Sequence, residues 1–348
     1  GLKVALFPLH MWLPNAYTYA PSAVTVFLAA TATKVAVYAL IRVTYTIFGT
    51  VDFLDIVPAR DLLMGMALIA MFVGSAVAIY QVNIKRMLAY SSVAQIGYMI
   101  LGLSFDTVNG VAAGIIHLFN HAMMKGGLFM VLGAVMYRIG SVHLHDMAGL
   151  GKKMPLTMAA FVGGGLSLIG VPLTVGFVSK WYLIQAALEK GWWPVAALIV
   201  VSSLMAVIYV WRVVEVIYMK PAGQAAENAT EAPMSLLIPT WVLIGAAVYF
   251  GIDATTTVDV AVAAAEAAAE QQELRHRHRE TAMAAEQRTS TAELRRLQAE
   301  LRAAQVAADD ARRAANRLAG QAADLRASGA AAAAAVATQA ARMAEQER

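Results

Sequence analysis

The sequence predicts an all-α integral membrane protein: a multi-helix bundle with one broken helix near Pro172, followed by a long polar helical or coiled-coil tail. Three observations carry that expectation. Of 348 residues, 59% are hydrophobic and only 14% are charged, against about a quarter charged in an ordinary soluble domain. The apolar residues gather into runs long enough to cross a bilayer, which takes about 20 residues of helix. Charge is also unevenly divided. Residues 1–252 hold 14 Lys/Arg and 9 Asp/Glu, whereas residues 253–348 hold 13 Arg, no Lys, 14 Asp/Glu and no aromatic residue.

Two domains are therefore expected. Residues 1–252 form a transmembrane domain of about seven spans plus the end of an earlier helix. Residues 253–348 form an Ala/Glu/Gln/Arg-rich tail whose pairing with the membrane part reads as a fusion of unrelated segments. In order, the apolar runs are 20–48, 62–80, 87–105, 108–137, 156–188 with an interruption, 193–219 and 235–252. Residues 1–13 read as a helix end stopped by Pro14-Asn15, and the opening Gly1 reads as a cut edge. From about Ala261 the tail is rich in helix formers, with Leu294, Leu297 and Leu301 at 3–4 spacing and a thin, Ala-rich seam.

Orientation follows from the short loops. Lys85, Arg86, Arg138, Lys152, Lys153 and Lys220 fall on one side, which is expected to be cytoplasmic. Arg42, Arg60 and Lys190, with Asp52, Asp55, Asp61 and Asp106, fall on the other. The chain would sit in the inner (plasma) membrane as a multi-pass protein, with its tail starting outside the cytoplasm. Lys85-Arg86 reads as an orientation anchor, and Ser91 and Ser92 as small residues for helix packing.

Ionisable residues inside apolar runs point to function, because each costs at least ~2.5 kcal/mol to insert. Lys34 lies midway along 20–48. His117, His121 and Lys125 stand at i, i+4 and i+8, on one helix face. Such a row suits a proton relay. The alternatives are structural polar packing and a zinc site, the latter without a third ligand nearby in sequence. The 156–188 run contains Gly170-Val-Pro172-Leu-Thr-Val-Gly176, which should break the helix near Pro172, with Lys180 on the second half. Lys3, before Pro8 and Pro14, repeats the pattern of a lysine beside a proline-interrupted helix. Arg212 and Glu215 are placed to pair at i,i+3, or Arg212 to serve the polar axis.

Zero cysteines exclude a disulfide scaffold, a thiolate zinc site and a cysteine-held iron–sulfur cluster. Nothing in the chain reads as a site for NAD, flavin or iron, so no cofactor, no metal and no catalysis of its own are expected. The tail has balanced charge and no stacking aromatics, which argues against nucleic acid as a partner.

Several segments together resemble a known family. They are Lys3-Val-Ala-Leu-Phe-Pro-Leu-His-Met-Trp-Leu-Pro-Asn-Ala, Ala20-Pro-Ser-Ala-Val, Lys85-Arg-Met-Leu-Ala-Tyr-Ser-Ser-Val-Ala-Gln-Ile-Gly-Tyr, His117-Leu-Phe-Asn-His-Ala-Met-Met-Lys-Gly and Gly170-Val-Pro-Leu-Thr-Val-Gly-Phe-Val-Ser-Lys. In this order they resemble the antiporter-like proton-translocating subunits shared by respiratory complex I and Mrp-type Na+/H+ antiporters. The resemblance covers residues 1–252. Within the family, Asn15-Ala-Tyr-Thr-Tyr-Ala-Pro and Thr33-Lys-Val-Ala-Val-Tyr favour the Mrp antiporter type.

The resemblance implies fourteen helices in two inverted repeats, each with one broken helix, of which roughly the first six helices are absent here. Lys3 matches the lysine of the first broken helix, and Lys34 a lysine on the next helix. His117, His121 and Lys125 match the central polar row, and Lys180 the lysine of the second broken helix. The expected function is thus proton translocation along a Lys/His axis in a multisubunit monovalent cation (Na+)/H+ antiporter. The alternative is an antiporter-like proton-pumping subunit of NADH-quinone oxidoreductase, and a third reading is a membrane anchor for an extracytoplasmic coiled coil. Other membrane subunits, protons, Na+ and the lipid bilayer are the expected partners. Burial disfavours a charged lysine and a nearby negative charge favours it, so moving one charge can load or unload the next site.

Overall fold

A computed structural model describes residues 2–48 and 59–346, so Asp52 and Asp55 lie outside the described residues. Two compact units are distinguished, Gly1–His276 and Arg277–Arg348. The first is an all-helical membrane bundle. Its opening helix, α1, is Trp12–Tyr19. The end of a helix expected over residues 1–13 is not seen in its described part: residues 2–11 form turns, and the helix begins at Trp12 and carries Pro14 in its first turn. The first-turn N–H groups have no intrahelical partner in any case, so proline costs nothing there.

Among the described residues, six helices are long and apolar enough to cross a membrane. These are α2 (Ser22–Tyr45), α3 (Ala59–Tyr80), α4 (Ile84–Ser104), α5 (Val108–Ile139), α8 (Trp193–Met219) and α9 (Met234–Ile252). Between α5 and α8 the broken run forms α6 (Pro155–Ile169) and α7 (Val175–Glu189). A last helix, α10, runs Thr255–Gln346.

α4 is the axis of the bundle, buried along its length except at Arg86. It packs against α1, α3, α5, α7 and α8, while α5 packs against α2, α6, α7 and α9. Close approach explains the small residues of α4. A Cβ on Gly97 would stand 2.7 Å from the Ala67 carbonyl oxygen of α3. The outer helices turn large apolar side chains outward, such as Ile238 and Val242 of α9 and Leu204 of α8. The bundle is therefore polar within and apolar on its flanks, as a bilayer demands of a protein with buried polar work to do.

One end of the bundle collects the basic loops. Ile84 N–H donates to Val142 at 3.0 Å and Leu144 N–H to Val82 at 2.8 Å, which ties the loop after α3 to the loop after α5. The Arg138 guanidinium donates to the Glu231 carbonyl, and the Glu231 carboxylate accepts from the Leu156 N–H and from Thr157 at the start of α6. An acidic group at a helix N-terminus is the favoured sign. At the opposite end Arg60 pairs with Asp106 at 2.8 Å, and Asn109 donates to Glu189.

One expectation at the basic end changes. Arg212 reaches the carbonyls of Ile79 and Gln81 instead of Glu215. Lys85, at the basic end, is buried: it is 4% exposed, and its Nζ lies 3.4 Å from the Ala20 carbonyl oxygen at the end of α1. A cation at a helix C-terminus is favourable, so Lys85 fixes the α1–α2 corner onto α4.

Candidate functional site

The break between α6 and α7 begins at Gly170, whose φ of 91° ends α6 in the left-handed region that favours glycine. Both Gly170 N–H and Val171 N–H return to the Leu166 carbonyl, closing the helix end. Leu173, at φ 70°, completes the turn around Pro172. The break stands where the sequence places it, and its local cause is as much Gly170 as Pro172. Gly176 lets α7 restart hard against α6, since a Cβ there would fall 1.7 Å from the Ser167 carbonyl oxygen.

Helix ends leave their last carbonyls without intrahelical donors. Lys180 serves two of them: its Nζ donates to Leu168 at 3.0 Å and to Ile169 at 2.7 Å. The same ammonium lies 5.0 Å from the ring centroid of Tyr98 on α4. The Tyr98 ring is 5.5 Å from that of His117, and Ser179, the neighbour of Lys180, meets His117 Nδ1 at 2.8 Å. His117 and His121 then stack, with centroids 6.0 Å apart and ring planes at 7°. One turn further along α5, Lys125 Nζ donates to the Leu88 carbonyl at 2.7 Å and to Ser91 Oγ at 2.5 Å.

Lys34 reaches this group from α2. The helix there widens into a π-helical turn, Leu28–Ala32, and Lys34 Nζ donates to the Ala29 carbonyl within it. The segments of α2 around Lys34 pack against α5, the helix that carries His117, His121 and Lys125. The structure thus brings Lys34, His117, His121, Lys125 and Lys180 into one interior row, none more than 5% exposed. Lys3 is not among them. It is exposed, on the turns that precede α1.

The row is built almost wholly from bases. Among the described residues no Asp or Glu is buried, and no group of three or more His, Asp or Glu is placed to hold a metal ion. Lys34, Lys125 and Lys180 donate to carbonyl and hydroxyl oxygens. Several polar atoms along the row have no protein partner among the described residues: both nitrogens of His121, Nε2 of His117, Gln95 Oε1, Asn120 Oδ1 and Ser167 Oγ. Buried polar groups of that kind are ordinarily met by water. An imidazole can accept a proton on one nitrogen and release one from the other. The arrangement therefore suits proton exchange along the row, one site at a time, because neighbouring positive charges repel.

Ser91, Gln95, Tyr98 and Ser179 also belong to the site, beyond the residues that the sequence singles out. Ser91 does more than allow close packing, since its hydroxyl is a partner of Lys125. Ser91, Gln95 and Tyr98 recur at i, i+4 and i+7 on an apolar helix, a polar stripe that marks the face of α4 turned toward α5. Ser179 carries no such signal.

Residues 1–206 match the family model described as NADH:quinone oxidoreductase/Mrp antiporter, TM. The chain belongs to this family. NADH-quinone oxidoreductase subunit N of Desulforudis audaxviator is 45% identical over 261 residues, covering 71% of this chain and 52% of the relative. Among solved structures, an archaeal membrane-bound sulfane sulfur reductase, described as a respiratory membrane complex, superimposes with a TM-score of 0.69 at 32% identity. That alignment covers 78% of this chain and 55% of the other. The Mrp complex of Dietzia sp. gives a TM-score of 0.69 at 27% identity, covering 76% and 56%. The chain thus spans about half the length of the relatives it matches.

Proposed function

We propose that this chain carries the central and distal proton path of an antiporter-like membrane subunit in a redox-driven complex of the NADH-quinone oxidoreductase kind. The observation that carries the reading is the interior row Lys34–His117–His121–Lys125–Lys180, held by Tyr98, Ser179, Ser91 and the α6 carbonyls. The choice of a redox-driven complex over a Na+/H+ antiporter rests on the relatives. The subunit N relative is 45% identical, against 27% for the Mrp structure. The Mrp type favoured by the sequence segments is the less supported of the two.

In this reading protons pass between Lys180 and the histidine pair, then to Lys125 and Lys34, through water bound to the unpartnered nitrogens and amide oxygens. Lys180 moves its charge against the end of α6, whose carbonyls stabilise the protonated form. Lys3, exposed on a different segment, would be an outer station at most. Quinone and nucleotide chemistry belongs to other subunits, which are the partners of this one in the plasma membrane. The end bearing Lys85, Arg86, Arg138, Lys152, Lys153 and Lys220 would face the cytoplasm, and α10 would start from the opposite face.

The test uses inverted membrane vesicles containing the complete native assembly and reads proton uptake by a pH-sensitive dye. Uptake should depend on an electron donor, and Lys180→Ala should abolish it with the assembly still present on native gels. Normal donor-driven uptake by the Lys180→Ala assembly would contradict the role of the row. Uptake driven by a Na+ gradient without an electron donor would return the chain to the antiporter type.

A further inference from the structure

The second unit, Arg277–Arg348, follows the exposed length of α10. From 294 to 343 its sequence fits one heptad frame that keeps every charged residue off positions a and d. With Leu294 as position a, the larger a residues are Leu294, Leu301, Val336 and Met343. Leu297, Leu318 and Leu325 take position d, and the remaining a and d positions are Ala, Gly329 or Gln339. No Arg, Asp or Glu of this stretch falls at a or d: each of them stands at b, c, e, f or g. The Leu, Val and Met side chains of this seam are all more than half exposed. About seven heptads exceed the three or four that mark a coiled coil, and a seam of that length on a lone helix leaves its apolar surface in water.

We infer that this seam pairs with the same seam of a second copy of the chain, in an antiparallel coiled coil. Two features of the sequence select that occupant and that direction. The first is size. A parallel, in-register pair would stack four successive alanine layers (304, 308, 311 and 315) between layers of facing leucines, and no single helix separation packs both. In the antiparallel register that sets residue 311 opposite residue 322, the run of alanine layers is broken up, and only Ala304 with Gly329 and Ala311 with Ala322 stay small on both sides. Leu301 then faces Ala332 of the second copy, Leu318 faces Ala315 and Leu325 faces Ala308, while Leu297 faces Val336 near each end. The second is charge. The flanking g positions place Glu293 beside Arg342 of the second copy, and no like charges meet at e or g in this register.

The chain has no cysteine, so introduced thiols report pairing without background. Ala311→Cys and Ala322→Cys would be made in the full chain, in its membrane, expressed singly and together, and oxidised. The antiparallel register puts 311 against 322, while each position lies about 16 Å along the axis from its own counterpart, roughly 11 residues at about 1.5 Å per residue. That is beyond disulfide reach. The expected result is a disulfide-linked dimer in the co-expressed sample at a yield at least tenfold above either variant alone. Efficient cross-linking of each variant with itself would overturn the antiparallel register in favour of a parallel pair. No cross-link in any sample, with α10 helical by circular dichroism, would overturn the pairing. As an independent readout, Leu318→Asp should shift the cysteine-free chain from dimer to monomer in a mass measurement, and an unchanged dimer would likewise overturn it.

Discussion

His117 is held on one side by Ser179, which meets Nδ1 at 2.8 Å, and stacks on the His121 ring on the other. Ser179→Ala removes the first contact while leaving the break and Lys180 untouched. A lost hydrogen bond of this kind is worth about 0.5–1.5 kcal/mol. Donor-driven proton uptake by the complete assembly should therefore fall about threefold to tenfold, with the amount of assembly unchanged. An unchanged rate would mean that imidazole orientation does not matter to the row. The charged members of the site are legible in the sequence because a lysine or histidine pair in an apolar run is costly and conspicuous. Its neutral members are harder to see. Ser91 reads as a packing residue because a serine in a membrane helix carries no mark of whether it bonds its own backbone or a neighbour's lysine. Lys85, at a helix start, shows no sign in the sequence that its side chain is buried against α1.

At the scale of the element, the break between α6 and α7 is held by backbone-to-backbone contact. Gly176→Ala would drive a methyl group into the Ser167 carbonyl, and backbone cannot yield as a flexible side chain can. Overpacking of this sort costs about 1–3 kcal/mol. The variant should show a lowered Tm in detergent and weakened proton uptake, because Lys180 takes its partners from the end of α6. A Tm equal to the parent's would show that the two half-helices can separate freely. The Gly-Val-Pro-Leu-Thr-Val-Gly run announces this break, since proline and glycine report backbone constraint directly. The π-helical turn before Lys34 has no such herald. It lies where α2 packs on α5, and no residue type there marks it. The start of α1 is hidden for a related reason: Pro14 looks like a stop until the first turn is known to begin two residues earlier.

For the whole molecule, the order of the spans and the gathering of basic loops at one end are legible because bilayer thickness and hydropathy leave little freedom. The arrangement that makes α4 the buried axis is only faintly legible: α4 and α5 are less apolar than the other four spans, but composition does not say which of the two the bundle surrounds. The central claim is that the interior bases act as one path. The most direct measurement is donor-driven proton uptake by the complete assembly carrying Lys125→Ala, a fully buried lysine one turn along α5 from His121. The assembly should form normally and its proton uptake should fall at least tenfold. Uptake at the parent's rate, with the assembly intact, would contradict a path through this row.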